Sequence, residues 1–512
     1  MTSAEIRDRL TQITLRRNII FPSADIYPPM GGVFDLGPIG KGVRDRIVSL
    51  WKRLFIERNG YFEVDTSLVL PEIAVKASGH LDHFSDPVTT CKYCGSKFRA
   101  DHLLDENDIE TEGMTTEDVN TALKNDKIVC LNCSKSGFTD VAFFNLMFKT
   151  NIGPIEGTPG YLRPETAQGI FMAFPRVFKS YGKLPLAMGQ VGRSFRNEIS
   201  PRQGVVRLRE FNQMELEYFF DPNDQKFPRF KEMADRKVAI LTYEEQERSR
   251  KAAADAGAKK SASKQGQRKN EAKPLVMTCK EALDRGVAPN EITAYFIGLT
   301  FEFYEACGIP FNSMRFRQLS PDERAHYSGG TFDFEVMTSF GWLETVSLAY
   351  RTDYDLKSHG DMSGKDTTVV MPDGRRVIPH VVEPSFGLDR LLWAVLEHSY
   401  RGKDKEHEWE WLDLPPALAP YDVAVFPLMK KDGLAEKAQE LVSSLRGRSL
   451  SALYDESGSI GKRYARMDEA GVKWCVTVDY DTLKDGTVTL RDRNTTKQER
   501  VKLDEIPVRI GR

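Results

Sequence analysis

The chain has 512 residues, of which 40% are hydrophobic and 29% charged, and its formal net charge at pH 7 is −2. This balance is typical of a globular protein and excludes a disordered chain, and no apolar run reaches the length of about 18 residues that would indicate a membrane span. The near-zero net charge excludes a global attraction to polyanions, so any RNA must be bound by local basic patches. The N-terminal segment has neither an apolar stretch nor a cleavage signature, and we therefore expect a cytosolic protein without membrane contact.

The first 75 residues predict two helices and a strand. A first helix leads into a turn-rich segment over 28–38, which contains three prolines and three glycines. A second helix is predicted over about 43–59, and the strand that follows ends at Pro71.

Four of the seven cysteines form two CxxC pairs, at Cys91 and Cys94 and at Cys130 and Cys133. Paired thiolates of this kind can surround a zinc ion tetrahedrally. The gap between the pairs is longer than in a usual zinc ribbon, but the acidic, weakly apolar stretch 101–126 would fold poorly without a cross-link. We therefore favour a structural zinc site over four free thiols. The single cysteines stand in apolar surroundings and are predicted to be core residues: Cys279, Cys307 and Cys475.

Next along the chain, the segment 161–171 passes from a loop into an amphipathic helix. Thr166 is the predicted N-cap of that helix, and Glu165 lies beside it. The pattern alone does not assign a role to this carboxylate.

The segment 187–220 predicts a hairpin that binds a nucleotide. Its first strand is predicted from Gly189 to Arg196, and the second resumes at Val205 after turn signals. This pairing would bring Arg196, Glu198 and Phe211 together. A guanidinium binds phosphate oxygens, a carboxylate accepts a purine amino group and an aromatic ring stacks on a base. A lone hairpin of this kind would more simply be a charged surface feature.

The segment 378–393 supports the phosphate interpretation. It predicts an apolar strand, a turn and a helix that begins near Leu388, with Arg390 in the first helical turn. A cation beside exposed helix N–H groups is unfavourable unless an anion lies there too, so Arg390 indicates a bound phosphate.

Two further segments differ from the rest in composition. From 222 to 274 we predict a charged insertion. Within it, 248–273 has nine basic residues, two acidic residues and no aromatic residue, so it is either a solvated surface segment or a basic arm that contacts RNA.

The Pro-rich segment 409–420 is predicted to be a linker, and the β/α alternation of 421–512 predicts a small mixed-sheet domain. Its local basic and aromatic residues suit a solvated face or RNA contacts: Lys462, Arg463, Tyr464, Arg466, Arg491 and Arg493.

Three motifs now make the sequence recognisable. R-P-E-T-A-Q-G-I-F at 163–171, F-R-N-E at 195–198 with its loop to R-E-F at 209–211, and E-P-S-F-G-L-D-R at 383–390 closely resemble the signatures of glycyl-tRNA synthetases of the homodimeric class II type. The resemblance runs from about Arg7 to the C-terminus. It implies a mixed α+β fold, with an antiparallel sheet core flanked by helices and a C-terminal α/β anticodon-binding domain.

The implied domain organisation is a catalytic domain over 1–408, a linker over 409–420 and the anticodon-binding domain over 421–512. The catalytic domain would include the cysteine insertion at 76–150 and the charged insertion at 222–274. The helix and strand before Pro71 match class II motif 1, which implies a homodimer.

The resemblance also implies substrates and site residues. The substrates are glycine, ATP with Mg²⁺ and tRNA(Gly), and the intermediate is glycyl-adenylate. Arg196, Glu344 and Arg390 are implied as catalytic, acting on the α-phosphate, on magnesium and on the γ-phosphate. The implied ATP site comprises Arg196, Asn197, Glu198, Val206, Arg207, Leu208, Arg209, Glu210, Phe211, Glu344, Thr345, Gly387, Leu388, Asp389 and Arg390. The implied glycine site comprises Arg99, Glu165, Phe211, Asn212, Gln213, Met214, Glu215, Glu383, Pro384, Ser385, Phe386 and Gly387.

Within the implied glycine site, the glutamates would hold the ammonium group, Ser385 would crowd the α-carbon and Arg99 would neutralise the carboxylate. No histidine base is indicated, so the 3′-terminal ribose hydroxyl of tRNA, which acts as the nucleophile in the transfer step, is expected to lose its proton with assistance from the substrate. The magnesium segment reads G-W-L-E-T-V and lacks the second acid of many bacterial members, which leaves the number of magnesium ions open.

Two alternatives are weighed against this interpretation. One is a synthetase-like nucleic-acid-binding protein without activity, but such relatives lose the ATP-binding arginines that this chain keeps. The other is a class II synthetase for threonine, proline or histidine, and the acidic pocket around Ser385 argues for glycine instead.

Overall fold

The computed structural model describes residues 1–28, 30–107, 109, 111, 114–125, 127–154, 157–199, 201, 204–255, 272–321, 323–324 and 328–511. The helices are α1 (Ser3–Arg16), α2 (Pro38–Trp51), α3 (Glu72–Ala77), α4 (His80–His83), α5 (Ala100–Asp105), α6 (Thr116–Leu123), α7 (Ala167–Tyr181), α8 (Tyr243–Asp255), α9 (Cys279–Asp284), α10 (Glu291–Ala306), α11 (Tyr354–Ser363), α12 (Leu388–Ser399), α13 (Leu434–Gly447), α14 (Ile460–Glu469), α15 (Tyr480–Asp485) and α16 (Ile506–Arg509).

The strands are β1 (Ile20–Pro22), β2 (Phe34–Leu36), β3 (Phe62–Glu63), β4 (Val69–Pro71), β5 (Ser85–Thr90), β6 (Lys97–Arg99), β7 (Ala142–Asn145), β8 (Lys149–Ile152), β9 (Thr158–Leu162), β10 (Leu186–Phe195), β11 (Glu210–Phe220), β12 (Lys237–Leu241), β13 (Leu275–Thr278), β14 (Met314–Gln318), β15 (Gly330–Thr338), β16 (Gly341–Thr352), β17 (Val369–Val370), β18 (Arg376–Val377), β19 (His380–Gly387), β20 (Tyr400–Arg401), β21 (Trp411–Leu412), β22 (Val423–Pro427), β23 (Ala452–Tyr454), β24 (Trp474–Val478), β25 (Thr487–Asp492) and β26 (Gln498–Lys502).

A nine-stranded sheet forms the centre of the molecule, in the order β13-β12-β14-β15-β16-β19-β11-β10-β3. All of its neighbouring strands are antiparallel except β12 with β14 and β3 with β10. Helices pack on its apolar face. The most buried of them is α10, which is apolar nearly all round and starts at Asn290, whose side chain accepts a hydrogen bond from the Thr293 N–H. The predicted antiparallel sheet core flanked by helices is confirmed.

The second predicted helix begins earlier than expected, at Pro38, where proline suits the first helical position. It continues through a π-helical turn at Lys52–Ile56 and a 3₁₀ turn at Glu57–Asn59, and it ends at Gly60 in the left-handed conformation. Its aromatic residues reach the core below the sheet: the Phe55 ring lies 5.0 Å from that of Phe386 on β19. The start of the helix was wrong by five residues because the turn-rich segment hides it.

The cysteine-containing insertion folds as a small unit with its own core. Strands β5, β6 and β7 form a three-stranded sheet in the order β6-β5-β7, and α5 and α6 cover it. The core of this unit includes Phe98, Leu103, Leu104 and Phe138. It is small, as expected from its acidic composition.

The predicted charged insertion at 222–274 is wrong in its first part. Strand β12 lies inside that range and joins the central sheet between β13 and β14. Its sequence K-V-A-I-L is buried on both faces, so it lacks the alternation that would have identified it. Helix α8 follows, and the basic arm predicted over 248–273 lies, from 256 to 271, outside the described residues.

The segment 409–420 was predicted to be a linker, but it is packed. Trp411 and Leu412 form β21, which pairs with β20, and Leu412, Leu414 and Leu418 join the main core. The prolines and acidic residues of the segment suggested flexibility. Its apolar residues, however, pack into the core and hold the segment in place.

The C-terminal part forms a five-stranded sheet in the order β23-β22-β24-β25-β26, in which the first three strands are parallel. The predicted α/β domain is confirmed. It contacts the N-terminal helix, where the Arg16 guanidinium lies 2.8 Å from the Glu469 carboxylate and Arg17 pairs with the same carboxylate.

The sequence analysis expected a solvated face or RNA contacts for six basic and aromatic residues of this part, and the expectation of a solvated face is wrong for four of them. Arg463, Tyr464, Arg491 and Arg493 are buried. Both guanidinium nitrogens of Arg491 bond the Asp468 carboxylate at 2.8 and 2.9 Å. These charged residues therefore form buried ion pairs. Hydropathy alone cannot distinguish a residue in a buried ion pair from one on a solvated face. Within the described ranges, no helix is both long enough and apolar enough to cross a membrane.

Candidate active site

The order of the central strands brings two of the three motifs together. Strand β11 lies between β10 and β19, and β19 lies between β11 and β16. In this register Glu215 is opposite Ser385, and Ala349 is opposite Glu383. Residues that are far apart in sequence therefore lie side by side on one face of the sheet.

The hairpin at 187–220 is confirmed, with a correction to its second strand. The first strand is β10, but residues 204–206 form a 3₁₀ turn, and β11 begins only at Glu210. The strand predicted from Val205 onward therefore does not begin there, and the side chains of Val205 and Val206 belong to the main core. Phe195 pairs with Glu210 at the end of the hairpin.

Arg196 and Phe211 meet as predicted. The Arg196 guanidinium carbon lies 5.2 Å from the centre of the Phe211 ring and 5.3 Å from that of Phe84. Its Nε donates weakly to the Pro164 carbonyl at 3.4 Å. A guanidinium held between two rings keeps most of its donors available for an anion.

The loop between the strands is organised around Glu198. The Arg207 Nε donates to the Glu198 carboxylate at 2.7 Å, and the Arg209 Nε donates to the Glu198 carbonyl at 3.1 Å. Asn197 is half-buried, and its N–H donates to the Leu146 carbonyl at 2.7 Å. Glu198 is thus fixed close to Arg196, although its carboxylate is paired with Arg207.

Arg390 lies in the first turn of α12, where it was predicted. Its Nε donates to the Val206 carbonyl at 3.0 Å and its Nη1 to the Glu344 carbonyl at 2.9 Å. The Glu344 carboxylate is 3.4 Å from the same Nη1 and is half-exposed. Two main-chain carbonyls therefore orient the guanidinium at the end of the sheet, and Gly387 is the N-cap of the helix.

Three of the predicted glutamates line a buried pocket. Glu165, Glu215 and Glu383 are each less than 9% exposed. The Ser385 hydroxyl donates to Glu215 at 2.5 Å and accepts a bond from the Gln213 amide at 3.3 Å. These side chains form a buried acidic cluster.

Thr166 has another role than the one predicted. It occupies the N-cap position of α7, but its side chain makes no capping hydrogen bond. Its hydroxyl donates to Glu215 instead. Through this hydrogen bond Thr166, directly before the helix, connects the 163–171 motif to β11.

Arg351 is central to this pocket, and the sequence analysis missed it. Its guanidinium donates to Glu383 at 2.6 Å and to Asp355 at 2.8 and 2.9 Å, and it lies 3.6 Å from Glu165. Although burial opposes ionisation of Glu165, the charges of His80 and Arg351 lower its pKa. The sequence signal was R-T-D-Y-D at 351–355, in which the arginine at the end of β16 stands four residues before an aspartate at the start of α11.

Glu217 is a second residue that the sequence analysis missed. It lies two residues after Glu215 on β11 and is fully buried. The period of two in a strand puts both carboxylates on one face, so the E-L-E pattern could have identified it. Carboxylate oxygens of Glu215, Glu217 and Glu383 all lie within 4.8 Å of one another.

Several predicted site residues point away from this face. Their positions alternate with those of the pocket glutamates along each strand, and their side chains are buried: Met214, Pro384 and Phe386. Leu388, the first residue of α12, is buried as well. Thr345 is the extra residue of a β-bulge in β16, and its hydroxyl accepts a bond from Tyr304 of α10. Only their backbone can serve a ligand on this face.

The remaining predicted residues lie around the rim or in the loop. The Asn212 N–H donates to the Asp389 carboxylate at 2.6 Å, and Glu210 pairs with Arg193 at 2.5 Å. Leu208 is buried in the loop. Arg99 pairs with Asp101 at 2.5 Å and Asp86 at 3.2 Å, so its charge is already compensated within the cysteine-containing insertion.

The four paired cysteines meet as predicted. The Sγ atoms of Cys91 and Cys133 are 3.7 Å apart, and those of Cys94 and Cys130 are 3.6 Å apart. A disulfide would require about 2 Å. A tetrahedron of sulfurs about 2.3 Å from a zinc ion has edges of about 3.8 Å, so the donor set and spacing fit zinc. Cys279, Cys307 and Cys475 are buried core residues, as predicted.

Comparison with known proteins gives two family matches. Residues 155–261 match the class II core domain of tRNA synthetases for G, H, P, S and T, and residues 422–511 match an anticodon binding domain. Among solved structures, prolyl-tRNA synthetase from Giardia lamblia in complex with prolyl-adenylate is similar, with a TM-score of 0.59, 15% identity and coverage of 99% of this chain and 75% of that one. Prolyl-tRNA synthetase from Cryptosporidium parvum complexed with halofuginone and AMPPNP has a TM-score of 0.57 at 13% identity, covering 98% of this chain and 74% of that one. At these identities they show the fold alone.

Curated relatives are closer and match over nearly the whole length. The glycine–tRNA ligase of Methanothrix thermoacetophila is 38% identical, with 97% of this chain and 95% of that protein covered. Those of Methanocaldococcus jannaschii and Pyrococcus furiosus are 37% and 36% identical, with 98% of both chains covered in each case.

Proposed function

The chain belongs to the glycine–tRNA ligases and attaches glycine to tRNA, and we propose that the cleft between the β10–β11 hairpin and the start of α12 is where the reaction takes place. One observation carries the placement. Strands β10 and β19 are both antiparallel to β11 and therefore end at the same edge of the sheet, where Arg196 follows β10 and Arg390 lies in the first turn of α12. The register of β11, β19 and β16 brings buried carboxylates together on the same part of the sheet. A nucleotide needs the first feature and an amino-acid ammonium needs the second.

In the first step, the glycine carboxylate attacks the α-phosphorus of ATP, pyrophosphate leaves and glycyl-adenylate forms. No covalent bond to the protein is needed, so positioning and charge neutralisation supply the catalysis. Arg196 neutralises the α-phosphate, and the Phe211 ring stacks on the adenine. Glu198 accepts a hydrogen bond from the adenine amino group. Its carboxylate must therefore accept this bond together with the one from Arg207.

Arg390 binds the γ-phosphate. Its two hydrogen bonds to main-chain carbonyls fix the orientation of the guanidinium before the substrate arrives, which lowers the entropy cost of binding. Three of its five N–H groups are left for phosphate oxygens. Arg390 thus stabilises the charge that passes to the leaving pyrophosphate.

Magnesium fits beside Arg390. Glu344 is exposed, and carboxylate oxygens are ligands that suit this ion. Glu335 lies opposite it on β15, but its carboxylate is bonded by Arg315 at 2.7 Å. Glu344 would hold the ion. Bound there, magnesium would neutralise phosphate charge.

Glutamates 165, 215 and 383 hold the glycine ammonium. Ser385 is fixed by Glu215 and Gln213 and limits the space beside the α-carbon, which excludes larger amino acids. For the glycine carboxylate, Arg99 would have to give up one of its two aspartate partners. In the second step the terminal ribose hydroxyl of tRNA attacks the carbonyl carbon of the adenylate, AMP leaves and the proton of the hydroxyl passes to the substrate phosphate. His80, which lies 3.6 Å from Glu165, has no part in this transfer.

Three further assignments complete the proposal. The four clustered cysteines hold a structural zinc ion, which would cross-link an insertion whose own core is small. The helix and strand before Pro71 serve as a homodimer interface. The enzyme works in the cytoplasm, where its tRNA substrate is used. We retain the boundaries 1–408 and 421–512 for the two domains, with 409–420 as a packed connection between them.

The test is amino-acid-dependent exchange of pyrophosphate into ATP by the purified protein. Glycine should support exchange, while threonine, proline, histidine and alanine should not. Exchange with another amino acid and not with glycine would overturn the assignment of the pocket.

A further inference from the structure

The acidic pocket contains one carboxyl group that the proposed reaction does not use, that of Glu217. It is fully buried on β11, and within the described part of the chain neither of its oxygens has a hydrogen-bond partner. One of its oxygens lies within 4.8 Å of one oxygen each of Glu215 and Glu383. Buried polar groups are almost always paired, so this one requires an explanation.

The charges around Glu217 do not balance. Arg351 on β16 supplies a guanidinium, but it bonds Glu383 and Asp355 at 2.6 to 2.9 Å. The hydroxyls of Ser385 and Thr166 are directed at Glu215. Each carboxylate of the pocket except Glu217 therefore has a donor, and Glu217 would be an uncompensated buried anion if it were ionised.

Burial and the neighbouring charge of Glu383 raise the pKa of Glu217 well above the usual range of a glutamate. The titratable and charged groups that surround it come from each neighbouring element: Glu215 on β11, Glu383 on β19, Arg351 on β16, Asp355 and His359 on α11, and Glu165, Arg163 and His80 just beyond. Acids outnumber the two guanidinium groups in this set.

We propose that Glu217 is a positioning residue that keeps its proton while the pocket is unliganded and releases it to solvent when the substrate ammonium enters. The inference rests on the proposed glycine site. One positive charge enters with the ammonium and one leaves as a proton, so the charge of the buried pocket is unchanged. The ionised Glu217 then adds a further carboxylate to the environment of the ammonium and strengthens its binding.

This exchange couples glycine capture to pH. If a proton must leave for glycine to bind, the free enzyme binds glycine better as pH rises, and kcat/KM for glycine increases by up to about tenfold per pH unit until the pKa of Glu217 is passed. The kcat value describes the enzyme after glycine is bound, when the proton has gone, so kcat should not share this dependence.

The test is the pH profile of glycine-dependent pyrophosphate exchange from about pH 6 to about pH 8.5 for three proteins: wild type, Glu217→Gln and the control Glu305→Gln. Glu305 is a half-exposed glutamate of α10 that pairs with Arg236 outside the pocket. We expect kcat/KM for glycine to rise with pH in wild type and control. In Glu217→Gln it should stay near the low-pH value of wild type, because the amide resembles the protonated acid and cannot ionise.

Two outcomes separate this inference from the function on which it rests. No exchange with glycine at any pH refutes the proposed function itself. Exchange with a kcat/KM profile that is the same in wild type and Glu217→Gln leaves the function standing and overturns the role of Glu217. Thermal melting shows whether the variant is folded.

A second measurement needs no variant. Calorimetric titration of wild type with 5′-O-(glycylsulfamoyl)adenosine, in two buffers of different ionisation enthalpy at one pH, reports the protons released per bound ligand. Release is expected, and a binding enthalpy that is identical in both buffers would contradict the proposal.

Discussion

Replacing Arg390 with alanine should impair activation of glycine far more than it destabilises the protein. In the structure this side chain makes two hydrogen bonds to main-chain carbonyls and one ion pair with Glu344 at 3.4 Å. Its side chain is 36% exposed. Because water can replace the lost donors, we expect the free energy of unfolding to fall by no more than about 1–2 kcal/mol.

The loss of transition-state stabilisation should be larger. A preorganised donor that acts on developing charge is worth about 10²–10³ in rate, or about 2.7–4 kcal/mol. We therefore expect kcat/KM for ATP in pyrophosphate exchange to fall by about this factor in Arg390→Ala. Arg390→Lys keeps the charge but not the forked geometry that contacts two carbonyls and a phosphate together, so it should recover only part of the loss.

Arg401 provides a matched control. Its guanidinium donates to the His398 and Tyr400 carbonyls at 2.7 and 3.0 Å and to the Asp413 carboxylate at 3.2 Å, but it lies at the other end of α12. Arg401→Ala removes the same kinds of contact without touching the proposed phosphate site, so exchange kinetics should stay close to wild type. Equal kinetics for Arg390→Ala and Arg401→Ala would refute the role of Arg390.

Three other predictions follow from the same geometry. Arg351→Met leaves the Glu383 and Asp355 carboxylates buried without their cation, so urea unfolding should show a loss of about 3–5 kcal/mol; a loss below about 1 kcal/mol would contradict the central place given to Arg351. Ser385→Gly removes the side chain that crowds the α-carbon, so alanine-dependent exchange should rise about tenfold relative to glycine, and an unchanged ratio would mean that Ser385 does not set specificity. Metal analysis should find about one zinc per chain, lost in Cys130→Ser and retained in the core control Cys475→Ser; a folded, metal-free wild type would exclude a structural zinc.

Sequence reasoning succeeded where a motif fixed both the residue and its local backbone. The helix at Leu388 and the proximity of Arg196 and Phe211 followed from turn chemistry and strand pairing. It failed where the decisive contact came from a third element. Arg351 is assigned to the pocket only because β16 pairs with β19 in the observed register.

The same limit explains the errors in the C-terminal part. Arg463 and Arg491 look like surface charges in the sequence, yet they are buried against the Pro427 carbonyl and the Asp468 carboxylate. Their partners lie 36 and 23 residues away. A local pattern cannot report a partner at such a distance.

Glu215 and Glu217 show that the period of two along a strand, applied strictly, would have improved the predicted set of site residues. Alternation along β11 places both side chains on the substrate face and Met214 on the other. Applying that rule would have included Glu217 among the site residues and removed Met214.

The central claim is that buried carboxylates bind the ammonium of glycine next to a nucleotide held by Arg196 and Phe211. A crystal structure of the protein with 5′-O-(glycylsulfamoyl)adenosine tests it most directly. The account predicts the amino group within hydrogen-bond distance of Glu165, Glu215 or Glu383, and the adenine stacked on Phe211. An amino group that lies outside this pocket, or an adenine that lies away from Phe211, would contradict it.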